Sequence, residues 1–269
     1  MLFACDLDQT LIYSRHSMGE IDEDELIPVE KYEGADLSFM TRSALDLLRQ
    51  VGDRLYFVPT TTRIVEQYDR IHGLSERFRC RFAIVSNGGR VLVDGKPDGE
   101  WDAFIREEIR MKSASRAEAK ERFDRLADPA WIVKDRLCDD LFYSIVVHRD
   151  AIPAGWMEEL ASGLDERGWS CSLQGRKIYL VPNPVNKGAA VAYVKELAGA
   201  REVFAAGDSL LDESMLLIAD EAMAPAHGEL FRKYGGRHGL IRFARRSGIR
   251  ASEDILQALA GRLEMRRAL

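Results

Sequence analysis

Short apolar runs alternate with amphipathic stretches along the first ninety residues. The runs "MLFACDL", "RLYFVPTTT" and "RFAIVSNGG" predict three buried strands. Between them, "SFMTRSALDLLRQVG" predicts a helix that Ser38 or Thr41 caps and Gly52 ends, and "RIVEQYDRIHGL" predicts a second helix that ends at Gly73. Because strands separated by helices form parallel sheets with helical crossovers, we expect a parallel sheet here.

The middle of the chain has a different pattern. A long charged helix is predicted over residues 102–127, followed by two closely joined strands at 131–140 and 141–149. A helix that begins with Pro153 at its first position is then followed by a hairpin with its turn near Gln174 and Gly175. Closely joined strands are usually antiparallel. We therefore expect a separate α+β unit over residues 91–182.

The alternating pattern resumes after this unit. Helices are predicted at 186–199, 212–220 and 255–269, with strands at 202–208 and 221–228. The sequence thus predicts an α/β fold in which residues 1–90 and 183–269 form one domain and residues 91–182 form an insertion.

Composition and charge narrow the class of protein. The 269 residues are 46% hydrophobic and 30% charged, and the net charge of −6 argues against a nucleic-acid or anionic-membrane partner. The four cysteines have no metal-ligand spacing, which is typical of reduced thiols and a cytoplasmic protein. We see neither a signal peptide nor a membrane span, and we expect a monomer or a weak dimer.

Acidic and hydroxyl residues follow several of the predicted strands. In a parallel sheet these strand ends meet at one edge, which is where such sheets bind ligands. Lys187, at the start of a helix, is expected to join them, and Asn87 ends the third strand beside the insertion. The strand-end residues are Asp6 and Asp8, then Thr60, Thr61, Thr62 and Arg63, and finally Asp208 and Asp212.

This combination of residues favours phosphoryl-transfer chemistry. Clustered carboxylates repel one another, and Mg²⁺ with oxygen ligands removes that repulsion. One carboxylate can attack phosphorus, a second can give a proton to the leaving oxygen, and threonine and lysine can hold the phosphoryl oxygens. Taken singly, each residue is better explained as a turn, cap or surface residue. Their joint occurrence in order at one sheet edge favours catalysis.

Four motifs of the chain resemble those of the haloacid-dehalogenase-like (HAD) phosphohydrolases. They are D-x-D-x-T at Asp6–Thr10, a strand-end hydroxyl at Thr61-Thr62-Arg63, the lysine motif Asn186-Lys187-Gly188, and G-D-x-x-x-D at Gly207–Asp212. The resemblance implies a Rossmann-like parallel-sheet HAD core with an inserted α+β cap domain of the C2 type. The cap resembles that of sucrose-phosphate, trehalose-phosphate and mannosylglycerate-phosphate phosphatases and of phosphomannomutases.

By this resemblance each residue has a role. Asp6 would be the nucleophile and a Mg²⁺ ligand, and Asp8 would be the acid/base, with its backbone carbonyl on the metal. Asp208 would bind Mg²⁺, and Asp212 would hold a metal-bound water or orient Lys187. Thr61 and Lys187 would bind the phosphoryl group. Apart from the resemblance, Thr62, Arg63 and Asn87 are further candidates for substrate binding, and for Asn87 a role in the turn stays equally open.

The function that we expect is a Mg²⁺-dependent phosphatase that hydrolyses a small-molecule phosphomonoester, such as a sugar or glycoside phosphate, through an aspartyl-phosphate. Two alternatives stay open: a phosphomutase, and a phospho-receiver or ligand-binding protein without catalysis. Thr60 also stays open as the phosphate-binding hydroxyl. Two positions depart from the family's usual residues, since Gln9 replaces a frequent glycine and Leu211 a frequent asparagine.

Overall fold

A computed structural model of the chain describes residues 1–75, 78 and 80–265. The chain divides into a core unit, Met1–Pro97 with Lys187–Leu269, and a cap unit, Asp98–Asn186. The boundaries predicted from sequence, after residues 90 and 182, lie a few residues earlier. The first boundary lies later than predicted because the strand that begins at Arg90 pairs antiparallel with the core strand Phe82–Val85 and so belongs to the core unit.

The first segment of the core unit begins with a buried strand and continues through a hairpin. Its elements are β1 (Leu2–Cys5), β2 (Leu26–Tyr32), β3 (Ala35–Thr41), α1 (Arg42–Gly52), β4 (Tyr56–Pro59), α2 (Val65–Tyr68), α3 (His72–Ser75), β5 (Phe82–Val85), β6 (Arg90–Val93) and β7 (Lys96–Pro97). Thr41 caps α1, because its hydroxyl accepts a hydrogen bond from the Ala44 N–H. The other candidate cap, Ser38, lies within β3.

The cap unit contains three helices and one sheet. Its elements are α4 (Gly99–Lys112), α5 (Arg116–Leu126), β8 (Ile132–Cys138), β9 (Phe142–Val147), α6 (Trp156–Asp165), β10 (Trp169–Gln174) and β11 (Lys177–Pro182). The four strands form an antiparallel sheet in the order β10-β11-β9-β8. The predicted helix over 102–127 is two helices, because Ser115 begins a new one with a capping box to Glu118.

The second segment of the core unit completes the parallel sheet. Its elements are α7 (Lys187–Leu197), β12 (Val203–Ala206), α8 (Glu213–Ile218), β13 (Glu221–Ala224), α9 (Glu229–Tyr234), β14 (Ile241–Phe243) and α10 (Arg250–Met265). The central sheet has the order β14-β13-β12-β1-β4, and all its strand pairs are parallel. The predicted closing helix begins earlier than expected, and its last four residues lie outside the described residues.

Three further sequence predictions differ from the structure. The third strand, β5, pairs with β6 in an antiparallel sheet and joins β4 through a single parallel bridge between Thr60 and Ile84. The helix predicted over 63–74 is the two short helices α2 and α3. The helix expected to start at Pro153 starts at Trp156, after Gly155, whose φ of 80° is left-handed and favours glycine.

Each unit has its own apolar core. In the core unit, Phe3 and Leu7 pack with residues of α1 and α10, including Leu48 and Leu259. In the cap unit, three of the four tryptophans, Trp131, Trp156 and Trp169, pack with Phe123 and Ile145. Trp101 is also buried. No helix among the described residues is long and apolar enough to cross a membrane.

Candidate active site

The carboxyl ends of three neighbouring strands bring the first motif to the centre of one sheet edge. Cys5, the last residue of β1, is in register with Pro59 of β4 and Ala206 of β12. One residue further, the Asp6 N–H donates to the Ala206 carbonyl and the Thr60 N–H donates to the Cys5 carbonyl, each at 2.8 Å. The acidic and hydroxyl motifs therefore meet, as parallel strands require.

Lys187 enters this edge from the first residue of α7. Its side chain is 1% exposed, and its Nζ donates to Asp6 Oδ1 at 2.6 Å and to Asp212 Oδ1 at 2.5 Å. A buried ammonium is tolerated only when it is paired in this way. Burial disfavours the charged form, but Asp212 and Asp6 more than offset it, so the pKa of Lys187 is raised and the side chain is a cation.

Both carboxylate oxygens of Asp212 accept hydrogen bonds, which fix the side chain in place. Oδ1 accepts from Lys187, and Oδ2 accepts from the N–H groups of Asp208 and Ser209 and from the Ser209 hydroxyl. This closeness explains the glycine of the motif, because a Cβ on Gly207 would lie 2.4 Å from the Asp212 Cβ. Asp212 therefore orients Lys187.

Asp208 completes a group of three buried carboxylates, which we call the carboxylate cluster (Asp6, Asp208 and Asp212). Each contributes one oxygen, and these oxygens lie within 4.8 Å of one another. Asp208 is 6% exposed, yet its carboxylate accepts no hydrogen bond from the part of the chain that the structure describes. Three carboxylates whose oxygens lie this close together, one of them without a hydrogen bond from these residues, offer the oxygen ligands that a hard divalent cation such as Mg²⁺ requires, so they fit one.

The cluster has more negative charge than Lys187 can neutralise. Burial, and then the charge of Asp212, raise the pKa of Asp6 to about 7, against the opposite effect of Lys187. Burial and the same neighbour also raise the pKa of Asp208. Two carboxylates that are reluctant to ionise beside one ammonium indicate a place for additional positive charge.

The hydroxyl motif lies beside the cluster, and its threonines differ. The Thr60 hydroxyl donates to the Val58 carbonyl, whereas the Thr61 hydroxyl accepts from the Arg63 N–H at 3.1 Å and keeps its own proton to donate elsewhere. Thr62 is half-buried. Asn87, buried and left-handed with a φ of 58°, donates its N–H to the Thr61 carbonyl. The structure thus brings Thr61, Arg63 and Asn87 together.

Asp8 is the predicted site residue whose surroundings differ most from those of Asp6. Its side chain is 49% exposed, and both carboxylate oxygens accept hydrogen bonds from Arg63, at 2.7 and 2.8 Å. It is not among the carboxylates of the cluster in the described residues. Its expected contact with a metal through the backbone carbonyl stays a prediction, as does direct substrate binding by Arg63.

Two residues at this edge escaped the sequence analysis. Glu30, on the unpredicted strand β2, accepts hydrogen bonds from Nη1 and Nη2 of Arg63. His227 donates from Nε2 to the Gln9 carbonyl and accepts at Nδ1 from the Gly248 N–H, so it holds the turn of the first motif. Gln9 there has a φ of 65°, a left-handed conformation that favours glycine. Neither residue lies in a recognisable motif.

No protein-family model matches the chain, and no curated protein matches it. Solved structures do. The sucrose-phosphatase of Synechocystis sp. PCC6803, in complex with sucrose and phosphate, superposes with a TM-score of 0.71 over 97% of each chain at 17% identity. A HAD subclass IIB sugar phosphatase superposes with a TM-score of 0.64 over 97% of this chain and 98% of its own, at 12% identity. This chain has the haloacid-dehalogenase fold.

The haloacid-dehalogenase fold extends over nearly the whole chain. A third neighbour, the IMP-nucleotidase of Plasmodium falciparum with bound IMP, superposes with a TM-score of 0.58 over 97% of this chain and 68% of its own, at 10% identity. The prediction of a Rossmann-like core with an α+β cap is confirmed. Since a fold of this kind is used for several chemistries, function has to be argued from the site.

Proposed function

We propose that this protein is a Mg²⁺-dependent phosphatase that hydrolyses a small-molecule phosphomonoester through an aspartyl-phosphate on Asp6. The observation that carries the proposal is the buried Lys187, which bridges Asp6 and Asp212, while the Asp208 carboxylate beside them accepts no hydrogen bond from the described residues. A structural ion pair would be neutral, whereas this arrangement keeps excess carboxylates, which a bound divalent cation would neutralise and so allow an anionic phosphate ester to bind.

The residues would divide the work between two steps. In the first, an Asp6 oxygen attacks phosphorus, the P–O bond to the leaving group breaks, and Asp8 gives its proton to the leaving oxygen. In the second, Asp8 takes a proton from a water whose oxygen attacks phosphorus, the bond to Asp6 breaks, and phosphate is released. Lys187 and the Thr61 hydroxyl would hold the phosphoryl oxygens in both steps.

Asp6 and Asp208 would hold Mg²⁺, with Asp212 beside them, and the cation when bound would neutralise charge on the transferring phosphoryl group. Asp212 would keep Lys187 in place. Thr62 and Asn87 are proposed to contact substrate as well. The free proton of the Thr61 hydroxyl supports this residue over Thr60 as the phosphoryl donor.

The proposed substrate class is a sugar or glycoside phosphate. The support is the likeness to a sucrose-phosphatase and to a sugar phosphatase over nearly the whole chain. Four free cysteines support a cytoplasmic location. We further propose that the enzyme acts as a monomer or weak dimer without nucleic-acid or membrane partners, which gel filtration would check.

The test is phosphate release from a panel of phosphometabolites with Mg²⁺ and with EDTA. We expect activity with Mg²⁺, loss with EDTA, and no turnover by Asp6→Asn, while Asp53→Asn, at an exposed position of the same unit, keeps wild-type activity. Rapid quenching followed by mass spectrometry should find phosphate on Asp6 and not on Asp8. Turnover by Asp6→Asn would refute the mechanism, and conversion of a hexose 1-phosphate to its 6-phosphate would identify a phosphomutase.

A further inference from the structure

The Arg63 guanidinium donates hydrogen bonds to two carboxylates through two of its edges. On one side, Nε and Nη2 donate to the two oxygens of Asp8 at 2.7 and 2.8 Å. On the other, Nη1 and Nη2 donate to the two oxygens of Glu30 at 2.8 and 3.0 Å. Paired contacts of this kind fix the plane of the guanidinium as well as its position.

Glu30 is placed for this contact by an irregularity of its strand. The register between β2 and β3 shifts on both sides of Glu30, and such bulges redirect a side chain. The side chain is 5% exposed, and the Ser38 hydroxyl, which lies opposite it on β3, donates to the same Oε2 that accepts from Arg63. Burying an ionised carboxylate costs free energy unless it is paired, so the contact with Arg63 stabilises Glu30 in this position.

The backbone of Arg63 is held as firmly as its side chain. Its N–H donates to the Thr61 hydroxyl, and its carbonyl accepts from the Ser86 N–H at 2.7 Å. Arg63 is therefore fixed at both ends, while Asp8 is half-exposed and is held through its carboxylate. We call Asp8, Arg63, Glu30 and Ser38 the arginine clamp.

We propose that Arg63, held by Glu30 and Ser38, is a positioning residue that orients the Asp8 carboxylate for proton transfer to the leaving-group oxygen. The inference rests on the proposed function, in which Asp8 is the proton donor. In the donating form of Asp8, one oxygen keeps its hydrogen bond from Arg63 and the other carries the proton. Arg63 then acts through Asp8 instead of binding the phosphoryl group itself.

The leaving group separates these two roles. A sugar phosphate releases an alkoxide that needs a proton, whereas p-nitrophenyl phosphate releases a stable phenolate that does not. For Arg63→Ala and Glu30→Gln we expect kcat on the sugar phosphate to fall about 10- to 100-fold and kcat on p-nitrophenyl phosphate to change less than about threefold. KM for both should stay nearly constant. Glu23→Gln, which breaks the exposed pair with Arg15, is the matched control and should match wild type.

A double-mutant cycle completes the test. If Arg63 acts only through Asp8, adding Arg63→Ala to Asp8→Asn should cost nothing further on the sugar phosphate. A raised KM with equal losses on both substrates, or an additive loss in the double variant, would overturn the inference and leave the phosphatase proposal standing. A wild-type protein without phosphatase activity would refute both. Should Glu30→Gln fail to fold, Ser38→Ala should give a smaller loss that is again confined to the sugar phosphate.

Discussion

Two aspartates, two positions apart, lie in opposite surroundings. Asp6 belongs to the carboxylate cluster, is buried, and shares Lys187 with Asp212. Asp8 belongs to the arginine clamp, is half-exposed, and is held by Arg63. The cluster has too few cations, whereas the clamp has a cation bonded to every carboxylate oxygen in it. One short motif can therefore supply two chemically different carboxylates, because the chain leaves the buried strand end between Asp6 and Asp8 and gives each side chain different neighbours.

The largest effect should come from removing the cation of the cluster. Lys187→Met leaves buried carboxylates without their partner, so we expect kcat to fall at least about 10³-fold and the free energy of unfolding to fall by about 3–5 kcal/mol. Steady-state kinetics and urea unfolding at pH 8 would measure both. Lys195→Met on the same helix is the control and should change little. If Lys187→Met had normal stability and activity, the cluster would not depend on its cation, and the contrast drawn with the clamp would be wrong.

Mg²⁺ should stabilise the protein, and more so at high pH. Burial and the charge of Asp212 raise the pKa of Asp6 in the folded protein to about 7. Without a cation, the contribution of Asp6 to stability is therefore fully present below the pKa that it has in the unfolded chain, and it is lost as the pH rises through 7. Mg²⁺ favours the ionised carboxylates and removes this loss. At a concentration 100-fold above its Kd we expect about 2.7 kcal/mol of stabilisation.

Thermal unfolding with and without Mg²⁺ at pH 5.5 and pH 8 would check this. The increase in Tm should be larger at pH 8. It should disappear in Asp208→Asn and persist in Glu30→Gln, because Glu30 belongs to the clamp. An increase in Tm that is larger at pH 5.5 would contradict a cation bound by the cluster.

A methyl group at Gly207 should disturb the cluster through Asp212. The added Cβ would lie 2.4 Å from the Asp212 Cβ, so we expect Gly207→Ala to cost about 1–3 kcal/mol of stability and to lower kcat. Gly261→Ala, in the interior of α10 with open space around it, is the matched control and should stabilise by about 0.5–1 kcal/mol. Chemical denaturation of both variants would decide, and similar behaviour of the two would show that Asp212 can move.

The smallest effect should come from the edge of the clamp. Ser38→Ala removes one hydrogen bond to Glu30 and leaves its contact with Arg63, so we expect a loss of about 1 kcal/mol. Ser43→Ala, at an exposed position of α1, should not destabilise. Urea unfolding is sensitive enough for both. A loss above about 3 kcal/mol would mean that the clamp depends on the hydroxyl more than its hydrogen bonds indicate.

The sequence predicted the cluster better than the clamp, for a physical reason. Asp6, Lys187 and Asp208 lie in short motifs that follow or begin regular elements, and a motif can be read from the sequence even where the exact end of its element cannot. Glu30 lies in a segment with a register shift, where no periodicity indicates which way a side chain points. The antiparallel pairing of β5 with β6 was not predicted, because a short apolar run has the same pattern in a parallel and in an antiparallel sheet.

The order of strands in the central sheet has a consequence for synthesis of the protein. β1 is made long before β12, yet the two strands are neighbours, with Leu2 in register with Val203. The whole cap unit leaves the ribosome between them, with an apolar core of its own. Closing such a distant pair is entropically slow. Nascent chains that end before residue 187 therefore leave one edge of β1 unpaired, which favours binding by chaperones, and they lack Lys187, Asp208 and Asp212 of the candidate site.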